Sequence, residues 1–279
     1  MKKPHACQFG LTMACQAKFT ALLLACLVAG CAPLPVRQDS GGPVRVERGR
    51  LESRTGCVLD YSRYHTPETT GDILVVVGHG FLRSRQRMAG LAQALAASGL
   101  PTVTLDFCRA RPWRPGHVRN GFDMLRIADA LHAGRVVYVG FSAGGLAALV
   151  AARNDPRALG AVTLDLVDAD AVGRHAAAGF DRPLIGLVGE PSACNARGNG
   201  LAVLAAARQA RIERIAGADH CDFESPTDRV CRLLCGSDRG SPSESDRIIH
   251  ATVTAVRSLT GDAAPAVTLR YRGSPDPGG

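Results

Sequence analysis

Aromatic residues are scarce in this chain, 5% of 279 positions with one tryptophan among them. They do not interleave with the arginines, which are scattered rather than blocked. The formal charge of +8 therefore makes no basic, aromatic-studded stripe, and nucleic acid is not an expected partner. Neither G-x-G-x-x-G nor a P-loop occurs, so the sequence offers no glycine-rich phosphate cradle and no cofactor is expected. C-x-x-C knuckles are missing too. Cys221, Cys231 and Cys235 lie near His220 in sequence, but without knuckle spacing no metal site is expected there. The apolar run FTALLLACLVAGC (19–31) is too short to cross a bilayer comfortably. No internal repeat is visible. Hydrophobic and charged contents of 46% and 21% are ordinary globular values, and the length suffices for one well-buried domain.

The first informative stretch is VGFSAGG (139–145), preceded by the β-branched run RVVY and followed by the alanine-rich LAALVAARN. Gly140 and Gly144 flank Ser142 at the spacing G-x-S-x-G. A serine on a tight strand-to-helix turn is forced into a strained backbone conformation, and residues two positions away must be small. Ser142 is thus a candidate nucleophile.

Short apolar runs alternate with helical segments along the rest of the chain. Strands are expected at 72–78, 101–107, 135–140, 159–166, 183–189 and 211–217, with another in VRVERGRLES. Helices are expected at 87–100, 122–134, directly after Ser142, at 201–210 and at 246–259. That alternation predicts the α/β class, a mostly parallel sheet with helices on both faces. Candidate residues then sit just past the carboxyl ends of strands, where open α/β sheets hold their sites. The domain is expected to span 44–260, between a Pro/Gly-rich tether at 31–43 and a flexible tail at 261–279. RARPWRPGHVRNG (109–121) is too short for a large lid, although Trp113 is placed to line a pocket mouth.

A serine nucleophile needs a base, a group that orients the base, and donors for the oxyanion. Of the eight histidines, only His79 and His220 fall at strand ends; His117 is among those read as remote. His220, in GADHCDFESP, follows the last expected strand, which suits the base. GHGF (78–81) follows the strand 72–78 and suits an oxyanion loop, with donors from the backbone N–H groups of Phe81 and Ala143. His79 itself is read as structural. For the acid, DLVDAD offers Asp165, Asp168 and Asp170 while LVGEPSACN offers Glu190, and topology alone does not choose between the two strand ends.

Residues 72–235 resemble the α/β-hydrolase superfamily, most of all the branch of chlorophyllases, platelet-activating-factor acetylhydrolases and dienelactone-hydrolase relatives. GHGF resembles their oxyanion segment, GFSAGG their nucleophile elbow, LDLVDAD their D-P-V-D stretch and HCDFESP their histidine loop. The resemblance implies a Ser142–His220–Asp165 triad, although Leu166 stands where the branch has proline. The polyester-hydrolysing relatives carry the acid after the next strand, which implies Glu190 as the alternative. The implied activity is cleavage of small-molecule or lipid-like carboxylic esters through an acyl-enzyme. Thioester cleavage or acyl transfer would use the same triad, and a binding module on this fold is the non-enzymatic alternative.

The N-terminus resembles a bacterial lipoprotein signal. Lysines precede the apolar run, and Val28, Ala29 and Gly30 precede Cys31 as in a lipobox. This implies a signal peptide at 1–30, lipid on Cys31, and an exported domain held at a membrane surface. Six cysteines then remain, Cys57, Cys108, Cys194, Cys221, Cys231 and Cys235, and an oxidising compartment favours up to three disulfides among them.

Overall fold

In strand β3 (Ile73–Gly78), Leu74 and Val76 enter one core cluster while Val75 and Val77 enter another. Successive strand side chains point to opposite faces, so a run apolar at every position has to be covered on both. β5 (Arg135–Phe141) repeats the arrangement, with Val136 and Tyr138 on one face and Val137 and Val139 on the other. The structure, a computed structural model, describes residues 43–68, 71–108, 116–236 and 242–261. The expected signal peptide, Cys31, nearly all of the tether, the tail beyond 261 and Trp113 lie outside the described residues.

These two strands are the centre of an eight-stranded sheet ordered β1-β2-β4-β3-β5-β6-β7-β8. The others are β1 (Arg45–Glu52), β2 (Val58–His65), β4 (Thr102–Leu105), β6 (Ala158–Leu164), β7 (Leu184–Val188) and β8 (Ala210–Arg214). β1 and β2 pair antiparallel, as do β2 and β4; every other neighbouring pair is parallel. Helices α1 (Ala89–Ala97) and α7 (Pro242–Thr260) cover one face through Leu91, Leu95, Ile248 and Val256. The opposite face takes α2 (His117–Ala130), α3 (Ala143–Asn154), α4 (Val172–Ala177) and α5 (Gly200–Ala206). The expected α/β class and mostly parallel sheet are what the chain forms.

Strand order fixes where a site can form. After β3 the chain moves outward to β4, then crosses back to place β5 on the other side of β3. The loops leaving β3 and β5 therefore diverge, and a crevice opens between them at the carboxyl ends of the strands. GHGF and Ser142 are at those two ends.

Several elements differ from the sequence expectation. β2 was not anticipated, because VLDYSRYH carries Asp60, Arg63 and His65 and reads as no apolar run. α2 begins at His117 rather than Phe122, since its first turn is polar. The short α4 and α6 (Arg229–Cys235) were also unforeseen. α6 buries only Cys231 and leaves Val230, Leu233 and Leu234 exposed, so its apolar residues are not what seats it. Sulfur holds it instead. The six cysteines form Cys57–Cys108, Cys194–Cys235 and Cys221–Cys231, and the last two both end on α6.

Candidate active site

Ser142 sits between β5 and α3 with φ 54° and ψ −122°, in a region that L-residues rarely occupy. The flanking glycines show why the turn can be so tight. A Cβ on Gly140 would lie 2.0 Å from the Gly144 carbonyl oxygen, and one on Gly144 would lie 2.5 Å from that of His79. The elbow is packed backbone against backbone, both within itself and against the β3 loop. Ser142 N–H donates to Leu164 O at 2.8 Å, lacing the end of β5 to the end of β6.

His220 opens a 3-10 turn (His220–Phe223) after β8, where Asp219 N–H donates to Asp222 Oδ2 at 2.8 Å. Its Nε2 lies 3.1 Å from Ser142 Oγ, and its Nδ1 lies 2.6 Å from Asp165 Oδ2. All three residues are buried, and the Phe141 ring packs against the imidazole with centroids 4.7 Å apart. A buried carboxylate needs donors, and Asp165 has them. Gly189 N–H and Asn195 Nδ2 both reach Oδ1, and Asn195 Nδ2 also lies 3.1 Å from Oδ2. Asn195 is itself fixed, since its Oδ1 accepts from the Ser192 and Gly198 N–H groups. Asp165, like Ser142, has positive φ, at 43°.

The structure brings Ser142, His220 and Asp165 into one hydrogen-bonded chain and leaves Glu190 outside it. The Glu190 carboxylate is half-exposed, accepts from Gly217 N–H and faces Arg214. Its backbone serves the site instead, because Glu190 O accepts from Asn195 Nδ2. Asp168 receives the N–H of Gly173 at the start of α4. Asp106 takes the backbone N–H of Arg85 and pairs with that residue's guanidinium.

His79 is buried and holds two backbone groups. Its Nδ1 lies 2.7 Å from Gly80 O, and Phe107 N–H donates to its Nε2 at 3.2 Å. A carbonyl on one nitrogen and an N–H on the other require a neutral ring with its proton on Nδ1. Burial lowers the pKa of this imidazole and favours that form. The Gly80 carbonyl also accepts from Arg83 N–H. In a trans peptide the C=O and the next N–H point in opposite directions. Clamping the Gly80 carbonyl therefore turns the Phe81 N–H away from His79. Ala143 N–H, at the first position of α3, has no acceptor within its own helix.

Phe81 and Ala143 line one cavity of about 680 Å³, a size ordinary for a small-molecule site. Val58, Phe107 and the Cys57–Cys108 disulfide contribute apolar wall, and His117 and Asn120 contribute polar wall. The reading of His117 as remote is corrected here, since its ring centroid lies 6.4 Å from that of Phe81. A signal was available. Counted back in helical steps from Met124, Ile127 and Ala128, positions 117, 120 and 121 fall on the core-facing stripe. Arg83, two residues beyond Phe81, was also missed. It forms a bidentate pair with the buried Glu224, four residues after His220, at 2.6 and 2.7 Å. No local pattern announces a pair separated by 141 positions.

The sulfur atoms of Cys221, Cys231 and Cys235 lie within 4.8 Å of one another, and each already belongs to a disulfide. One bridge begins beside His220 and the other beside Asn195, so the segments that carry these two residues are both tied to α6.

No protein-family model and no curated protein matches this sequence. Solved structures do. An esterase from Pyrobaculum calidifontis superposes with a TM-score of 0.55 at 16% identity, over 91% of this chain and 96% of its own. The esterase domain of a Rhodothermus marinus protein gives 0.56 at 15%, over 77% and 98%. An acetyl xylan esterase from Paenibacillus sp. R4 gives 0.55 at 14%, over 79% and 86%. Sheet order, elbow and these superpositions together give the chain the α/β-hydrolase fold.

Proposed function

We propose that this protein is a serine-dependent carboxylic ester hydrolase. The observation that carries the reading is the buried chain Ser142 Oγ, His220, Asp165, with spacings of 3.1 and 2.6 Å, beginning at a strained serine. Ser142 Oγ attacks the ester carbonyl carbon while His220 Nε2 takes its proton. The Phe81 and Ala143 N–H groups receive the oxyanion. Asp165 holds the Nδ1–H, which fixes the tautomer and stabilises the imidazolium. His220 then passes its proton to the leaving alkoxide, and an acyl-enzyme remains. Water, deprotonated by His220, attacks that acyl group and releases the acid. The esterase neighbours support an ester as substrate, and the three disulfides support an exported protein.

Hydrolysis of p-nitrophenyl acetate and butyrate tests the reading. Ser142→Ala is expected to lower kcat by about 10⁴-fold or more, and Asp165→Asn by a comparable factor. Glu190→Gln is expected to stay within about twofold of wild type, as surface changes away from a site do. A collapse confined to Glu190→Gln would move the acid to the end of β7.

A further inference from the structure

On α2, residues spaced one turn apart face the core, and three of them are polar: His117, Asn120 and Asp123. A helix stripe against a core is normally apolar. Among the described residues Asp123 receives only a long contact from Cys108 N–H, and burial raises its pKa. His117 Nδ1 and Asn120 Oδ1 are buried and meet no hydrogen-bond partner among the described residues. Burial also lowers the His117 pKa, so the ring stands as a neutral donor and acceptor. Unpaired buried polar atoms weaken a fold, yet here the two residues that carry them, one helical turn apart, line the cavity that reaches Phe81 and Ala143.

The catalytic geometry says which part of an ester would enter. The leaving oxygen must face His220 Nε2, and His220 is not among the residues lining the cavity. Phe81 and Ala143 do line it, so a carbonyl held by their N–H groups has its acyl side directed inward. We propose that the cavity is an acyl subsite selecting acyl groups that carry a hydroxyl a few atoms from the carbonyl, read by His117 and Asn120. The apolar wall of Val58, Phe107 and the Cys57–Cys108 bridge would pack the carbon chain, and the two polar side chains would exchange hydrogen bonds with the hydroxyl. This rests on the ester-hydrolase reading for its orientation, but not for the existence of the subsite.

The test pairs p-nitrophenyl 3-hydroxybutyrate with p-nitrophenyl butyrate. Wild-type kcat/KM is expected to favour the hydroxylated ester by about tenfold or more. His117→Phe and Asn120→Leu are each expected to bring that ratio close to one. Both replace unpaired polar groups with apolar ones, so their Tm is expected to hold or rise; a structural role for these residues predicts a fall. Calorimetric titration of Ser142→Ala with both esters reads the subsite without turnover. Equal wild-type rates on the two esters, or a ratio untouched in both variants, would overturn the subsite and leave the hydrolase reading standing. If no ester turns over while Ser142→Ala binds the hydroxylated ester more tightly, dependent on Asn120, the subsite stands and the hydrolase reading falls.

Discussion

His79 shows how one side chain can set a backbone donor it never uses itself. Its neutral ring fixes the Gly80 carbonyl and, through the rigid peptide, the direction of the Phe81 N–H. His79→Leu removes the clamp while keeping the volume apolar. Misaimed oxyanion donors cost about a hundredfold when lost outright, so kcat should drop by about tenfold or more with a smaller change in KM. The same residue gives a pH signature. Burial holds the His79 pKa, and that of His117, below the ordinary imidazole value. Below about pH 6.5 the unfolded chain gains protons that the folded chain refuses. Stability is therefore fully present above that pH and declines as pH falls through it. Thermal melts between pH 7.5 and 5.5 should show Tm falling on acidification in the wild type, and less steeply in His79→Leu. A Tm independent of pH in that window would contradict the buried neutral assignment.

Among elements, the loops after β3 and β8 are joined by a network of ion pairs. Arg83 grips Glu224 bidentately and also reaches Asp228, which Arg87 holds from the other side. The Arg83 guanidinium pKa is raised by its Glu224 hydrogen bonds, and Glu224 is 1% exposed. Arg83→Met would leave that carboxylate buried without a partner, at a cost of about 3 kcal/mol or more in urea unfolding. Arg83→Lys keeps the charge but not the fork, and should recover only part of that loss. Activity should fall in the same order, because the pair spans the loop proposed to hold the oxyanion and the His220 loop. Element positions were legible in the sequence where burial makes one pattern. The central strands are apolar on both sides and were found to within two or three residues. β2 was not, because its buried positions, Leu59, Ser62 and Tyr64, do not alternate strictly and include a polar residue. α6 was not, because disulfides do for it what an apolar face does elsewhere.

For the whole molecule, the sheet order creates the crevice and the chain delivers one group to each of its rims. Ser142 and His220 were legible because each follows a strand run at a recognisable spacing. Asp165 and Glu190 were not separable from spacing alone. The choice turns on Asn195 and the Gly189 N–H, donors supplied by another loop. The Arg83–Glu224 pair and the cavity wall at His117 and Asn120 likewise depend on contacts between distant segments. Such contacts leave no local period. The most direct test of the triad is intact-mass spectrometry after treatment with a fluorophosphonate, followed by peptide mapping. A single phosphonyl adduct on the peptide bearing Ser142 is expected, absent in Ser142→Ala and much slower to form in Asp165→Asn. A folded wild-type protein that takes up no adduct, or one that is modified with Ser142 replaced, would contradict the nucleophile assignment.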